Sequence, residues 1–186
     1  MTPVVLAMEL RTPDLSPVRV NGKVYWAHSG NSDVLLRLGS YQHVCGSYYF
    51  GFDPAYADIE RTGGKLALFL DTWIPYVEAL RYLPGTPEKT FDFSPHPGVA
   101  MLPFDFFDED TAWLRVSIED GETLTITAGW GGMMGAMVLP SDFEEHSATA
   151  LNRFRPISKA APVTCRVDDL ITAIAASRDH LAVSHR

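Results

Sequence analysis

Ala112-Trp113-Leu114-Arg115-Val116-Ser117-Ile118, then Glu119-Asp120-Gly121-Glu122, then Thr123-Leu124-Thr125-Ile126-Thr127-Ala128 is an alternating run, an acidic turn and a second alternating run. A period of two puts successive side chains on opposite faces, so each run predicts a strand and the whole predicts a hairpin. Parity narrows its turn. A two-residue Asp120-Gly121 loop would set Ile118 opposite Thr123 and mix apolar with polar residues on both faces. A three-residue loop, Glu119-Asp120-Gly121 with Gly121 left-handed in a bulge, instead pairs Ile118 with Glu122, Val116 with Leu124 and Leu114 with Ile126. One face is then apolar, and the other carries Arg115, Ser117, Thr125 and Thr127.

Further strands follow from the same period. Val4 to Leu10 alternates, Val34 to Leu38 and Tyr48 to Phe52 are apolar runs of strand length, and Val163, Cys165 and Val167 mark another. Asn21-Gly22 between Val18-Arg19-Val20 and Lys23-Val24-Tyr25-Trp26 predicts a tight hairpin, because both residues tolerate positive φ. Leu66 to Leu70 reads as a strand buried on both faces. Helices are predicted over 54–62 behind an Asp53 cap, after Thr72 with Trp73, Val77 and Leu80 on one face, and after the Ser141-Asp142-Phe143-Glu144 capping box. A last helix begins at Asp168 and points Leu170, Ile171, Ile174 and Leu181 inward. Five prolines between Pro84 and Pro103 predict a long loop. The expected fold is α+β, one globular domain over residues 1–186, mainly antiparallel sheet built from hairpins with three to four helices packed on it.

Charge is distributed unevenly. Residues 92–145 hold eleven carboxylates against one cation, Arg115, a local net of −10 in a chain whose total is −8. Everything outside that window therefore sums to +2, and the last 36 residues alone to +3. Such a field repels nucleic acid and steers basic partners or divalent cations. The amino terminus lacks a cationic segment and an apolar run long enough for a signal peptide or a membrane span, and the expected location is the cytoplasm. Two cysteines, Cys45 and Cys165, suit reduced thiols.

Asp105, Asp108, Glu109 and Asp110 stand among Phe104, Phe106, Phe107 and Trp113, a mixture of charge and aromatic surface suited to gripping a cationic protein. The competing interpretation is aromatic core beside solvated acids. No EF-hand spacing is present, and no metal or cofactor is expected. Gly129-Trp130-Gly131-Gly132-Met133-Met134-Gly135 fails both the dinucleotide and the phosphate-loop patterns, which leaves a bulged strand end with Trp130 as an apolar contact. The six histidines show no metal-binding pairs, and each is expected at the surface or hydrogen-bonded.

Cys45-Gly46-Ser47 resembles the element around the nucleophile of papain-like cysteine proteases, over three residues of 186 and without that family's second Cys and Trp. The resemblance implies Cys45 as nucleophile, with His146 or His180 as its base. Leu139-Pro140-Ser141-Asp142-Phe143 resembles the helix entry of the SUKH immunity-protein superfamily, over five residues and without the Asn-Gly expected after it; this does not amount to membership.

The functional expectation is a small acidic binding protein that neutralises a basic protein partner, a toxin or nuclease, in the manner of an immunity protein or inhibitor. Asp105, Asp108, Glu109, Asp110, Trp113 and Trp130 are its expected contacts. The alternative is a hydrolase using Cys45 with a histidine, or a metal-dependent enzyme using the acidic cluster. The cationic carboxy-terminal segment also makes a homodimer possible.

Overall fold

The computed structural model describes residues 5–10, 15–20, 23–28, 34–45, 62–82, 98–106, 110–132 and 143–183. Its strands and helices make an α+β fold with antiparallel sheets. β1 (Leu6–Leu10), β4 (Val34–Leu38) and β5 (Tyr41–Cys45) form a three-stranded sheet in the order β1-β4-β5. β2 (Leu15–Val20) and β3 (Lys23–His28) pair with Val20 opposite Lys23, the register required by a two-residue Asn21-Gly22 connection. The third sheet runs β10 (Val163–Arg166), β8 (Thr123–Trp130), β7 (Thr111–Asp120), β6 (Val99–Phe106), and β9 (Arg155–Pro156) pairs with the far end of β8. α1 (Thr62–Ala79), α2 (Phe143–Asn152) and α3 (Val167–Val183) complete it. Side chains from the first and third sheets and from all three helices share one hydrophobic core.

The β7–β8 hairpin keeps the predicted parity and departs in register. Ile118 faces Leu124, Val116 faces Ile126 and Leu114 faces Ala128, and the ladder closes at Asp120 opposite Thr123 with an irregularity at Glu119. Gly121 is not left-handed. Two local terms favour this alignment. Asp120 Oδ1 accepts the N–H groups of Glu122 (3.1 Å) and Thr123 (2.8 Å), turning the corner with a side chain rather than with glycine. At the other end Trp113 lies opposite Gly129, where no side chain competes with a fully buried indole.

Gly129 also admits β9. A Cβ there would stand 2.5 Å from the Phe154 ring and 2.6 Å from the Arg155 carbonyl oxygen. The glycine-rich segment thus lets a strand approach closely, and Gly132 holds a left-handed φ of 90° that favours glycine. Met133 to Gly135, Ser141 and Asp142 lie outside the described residues.

Leu66–Leu70 is helix, not strand. The run is Leu and Ala with one Phe and no β-branched residue, a composition that favours helix. Leu70, Trp73, Val77 and Leu80 recur at spacings of three and four and are all buried, so one helical face continues through Thr72, the expected cap. Pro75 is therefore inside α1 and lacks the N–H that would donate to Asp71. The predicted strand over Tyr48–Phe52 and residues 54–61 of the predicted helix lie outside the described residues. Part of the expected proline loop is strand: β6 holds Pro103, which an edge strand tolerates.

β1 has its predicted alternation, with Leu6 and Met8 buried and Ala7 and Glu9 partly exposed. Its edge away from β4 packs on α3, where the Ser177 hydroxyl accepts the Met8 N–H (3.0 Å) and donates to the Ala173 carbonyl (2.8 Å). In α3 Leu170, Ile174 and Leu181 of the expected face are fully buried, and Ile171 is partly buried against the core.

Candidate functional site

In β5 the period of two places Tyr41, His43 and Cys45 on one face and leaves Gln42 and Val44 exposed on the other. That inner face meets β6. His43 Nε2 lies 2.5 Å from Asp105 Oδ2, and its ring meets the Phe104 ring edge-on with centroids 5.2 Å apart. Phe104 and Asp105 are consecutive, and a regular pleat would send them to opposite faces. The register shift between Pro103 and Asp105 allows both to reach one imidazole. Trp130, at the end of β8, closes a further side at 6.0 Å.

Asp105 is fully buried; with its carboxyl ionised and the ring neutral, Nε2 carries the hydrogen and donates to it. In the neutral ring Nδ1 is then an acceptor, and the Tyr41 hydroxyl donates to it across 2.9 Å. The result is a chain from a half-buried phenol through an imidazole to a carboxylate in the interior. Burial first, then the charges of Cys45 and Asp105, push the Tyr41 phenol above its ordinary value. Burial first, then Asp105, push the Cys45 thiol well above its own. Cys45 is thus held as a thiol, unlike a cysteine nucleophile, which needs a lowered value.

The sequence-predicted contacts separate in space. Asp105 and Trp113 are fully buried and offer no surface to a partner, because β6 and β7 place them inside. Asp110 is half-buried: Oδ1 accepts the N–H groups of Thr111 (3.0 Å) and Gly132 (2.7 Å), and Oδ2 pairs with Arg155. Trp130 is half-buried beside His43. Asp108 and Glu109 lie outside the described residues. Of the histidines named as bases, His146 is on α2 and His180 on α3, whereas the imidazole on the face of Cys45 is His43. No group of three or more His, Cys, Asp or Glu suited to a metal occurs among the described residues.

The acidic window is also split. β7 separates Asp110 from the turn at Glu119 and Asp120 by about 30 Å, nine residue steps at about 3.3 Å each. At the turn Glu122 pairs with Arg166 (2.7 Å), while Glu119 and Asp120 are exposed. The Val167 N–H donates to the Glu122 carbonyl (2.8 Å), which brings exposed Asp168 and Asp169 of the first turn of α3 to the same end. Asp168 pairs there with Arg81.

Tyr41 and His43 were missed because no strand was predicted there, although Tyr41-x-His43-x-Cys45 is itself a period-two signal. No family model, curated protein or solved structure matches this chain. Among the described residues no helix is long and apolar enough to cross a membrane.

Proposed function

We propose that this chain is an acidic binding protein that engages a basic protein partner, of the immunity-protein or inhibitor type, through the tip of the β7–β8 hairpin and the start of α3. The observation that carries this reading is the gathering of Glu119, Asp120, Glu122, Asp168 and Asp169 at one end of the molecule, with Arg166 and Arg81 beside them. Five carboxylates against two cations leave a net of −3 there. Exposed charge of one sign accelerates encounter with a partner of the other and supplies specificity. Asp110, at the opposite end, is committed to its own backbone and to Arg155, so the tip is the better-supplied contact.

Glu119 and Asp169 suit the test because neither is assigned an internal ion pair or turn-holding role here, unlike Asp120 and Glu122. The wild-type chain and a Glu119→Lys/Asp169→Lys variant would be used as bait against lysate of the native host at low and high salt. A basic protein captured by wild type, released by salt and lost from the variant is the expected result. Capture that ignores both salt and the substitutions, or a captured partner that is not basic, overturns the proposal.

A further inference from the structure

The Tyr41–His43–Asp105 chain has the arrangement of base-activated nucleophiles: a hydroxyl within hydrogen-bond reach of an imidazole, which is oriented by a third group on its other nitrogen. The distances, 2.9 Å and 2.5 Å, fall where that chemistry requires them. Three further features go beyond bracing two strands. The bulge in β6 is what brings Asp105 to this imidazole. Phe104 and Trp130 wall the ring, so charge developing on it is poorly screened by water and stays coupled to Asp105. Tyr41, at the outer end, is only half-buried, unlike Asp105 at the inner end.

We propose that Tyr41 is a base-activated nucleophile that takes the acyl group of a neutral ester, with His43 as its general base and Asp105 as the residue that positions the imidazole. The phenol oxygen attacks the ester carbonyl, and its proton passes to Nδ1 of His43. The imidazolium so formed is held by the Asp105 carboxylate. As the tetrahedral centre collapses, the bond to the alcohol breaks, the departing alkoxide takes the proton from His43, and a tyrosyl ester remains. No redox partner is needed. The raised phenol value is consistent with this order of events: Tyr41 stays protonated between encounters, so its activation must come from proton removal during attack. A neutral ester fits better than a phosphoryl donor, because the chain carries a net −8 and a carboxylate lies behind the base.

Tyr82, an exposed phenol at 42 % accessibility, is an internal reference. The folded protein would be treated with para-nitrophenyl acetate and the acetylation rate of each tyrosine followed by peptide mass spectrometry. General-base assistance is worth about 100-fold or more, so Tyr41 should outpace Tyr82 by that order and show a normal solvent deuterium isotope effect. His43→Gln should bring Tyr41 down to the rate of Tyr82, Asp105→Asn should slow it partly, and Tyr41→Phe should remove that adduct alone. An excess of Tyr41 over Tyr82 below roughly tenfold, or one that survives His43→Gln, overturns the proposal and leaves a structural brace. If circular dichroism shows His43→Gln unfolded, the wild-type ratio and its isotope effect decide.

Discussion

Gly129→Ala tests the register of the third sheet more directly than any change to its apolar face. The new methyl carbon would sit 2.5 Å from the Phe154 ring and 2.6 Å from the Arg155 carbonyl oxygen, both far inside contact distance. The ring can turn, but the carbonyl belongs to the β9 backbone opposite β8, so relief requires that strand to move away. Overpacking of this kind costs about 1–3 kcal/mol. For a chain of this length each kcal/mol moves the midpoint by roughly 2–4 °C, so a 2 kcal/mol cost lowers Tm by about 4–8 °C. Gly121→Ala is the control: nothing lies within 4 Å of its added carbon and its backbone is not left-handed, so its effect should stay within about 0.5 kcal/mol. Thermal unfolding followed by circular dichroism, checked by urea midpoints at constant m, gives both numbers. Were Gly121→Ala the more damaging of the two, the three-residue turn with a left-handed glycine would be restored and the observed register refuted.

Other outcomes follow from the same coordinates. Asp105→Ala strips the partly buried imidazole of its acceptor and should cost about 3 kcal/mol in urea unfolding; a change below about 0.5 kcal/mol would show that His43 finds another partner. Cys45 should resist thiol reagents in the native protein and react once denatured, and Cys165, with its value pushed up to about 11, should label slowly. Both values are raised, so the thiols' contribution to stability is complete below their ordinary value of 9.0 and is lost as pH climbs past it. Cys45→Ala should therefore flatten the alkaline fall in unfolding free energy, and an unchanged slope would contradict the burial. Asp120 has the opposite sign: the backbone N–H of Glu122 first, then the side chain and backbone N–H of Thr123, hold its carboxyl below the ordinary range, so its contribution is present above that range and lost as pH falls through the lowered value. Asp120→Asn should weaken amide protection at Glu122 and Thr123 and remove that acid dependence, as hydrogen exchange would report.

Local patterns carried much of this architecture. The Asn21-Gly22 hairpin, the strand over Val34–Leu38 and the inward face of α3 depend on contacts between near neighbours, and period alone reveals those. Leu66–Leu70 defeated the same logic because five apolar residues fit either element, and only the continuation to Trp73, Val77 and Leu80 decides for helix. The hairpin register was half legible: parity follows from which residues share a face, but the slip of two follows from where Trp113 finds room opposite Gly129. The Tyr41–His43–Asp105 chain was illegible for a different reason. His43 and Asp105 are 62 residues apart, and the bulge that joins them has no marker beyond a proline at Pro103. The acidic window looked uniform along the chain because a sequence does not show that one strand carries its two halves to opposite ends.

Ser177 answers a hazard common to sheet proteins. An outermost strand with open amides can recruit a copy of itself from another molecule, and repetition of that event builds fibrils. By taking up the Met8 amide, a single hydroxyl on a helix blocks that docking position without adding charge at the margin of the sheet. Resistance to self-assembly at that margin thus depends on α3 remaining seated, which ties colloidal behaviour to the anchoring of Leu170, Ile174 and Leu181.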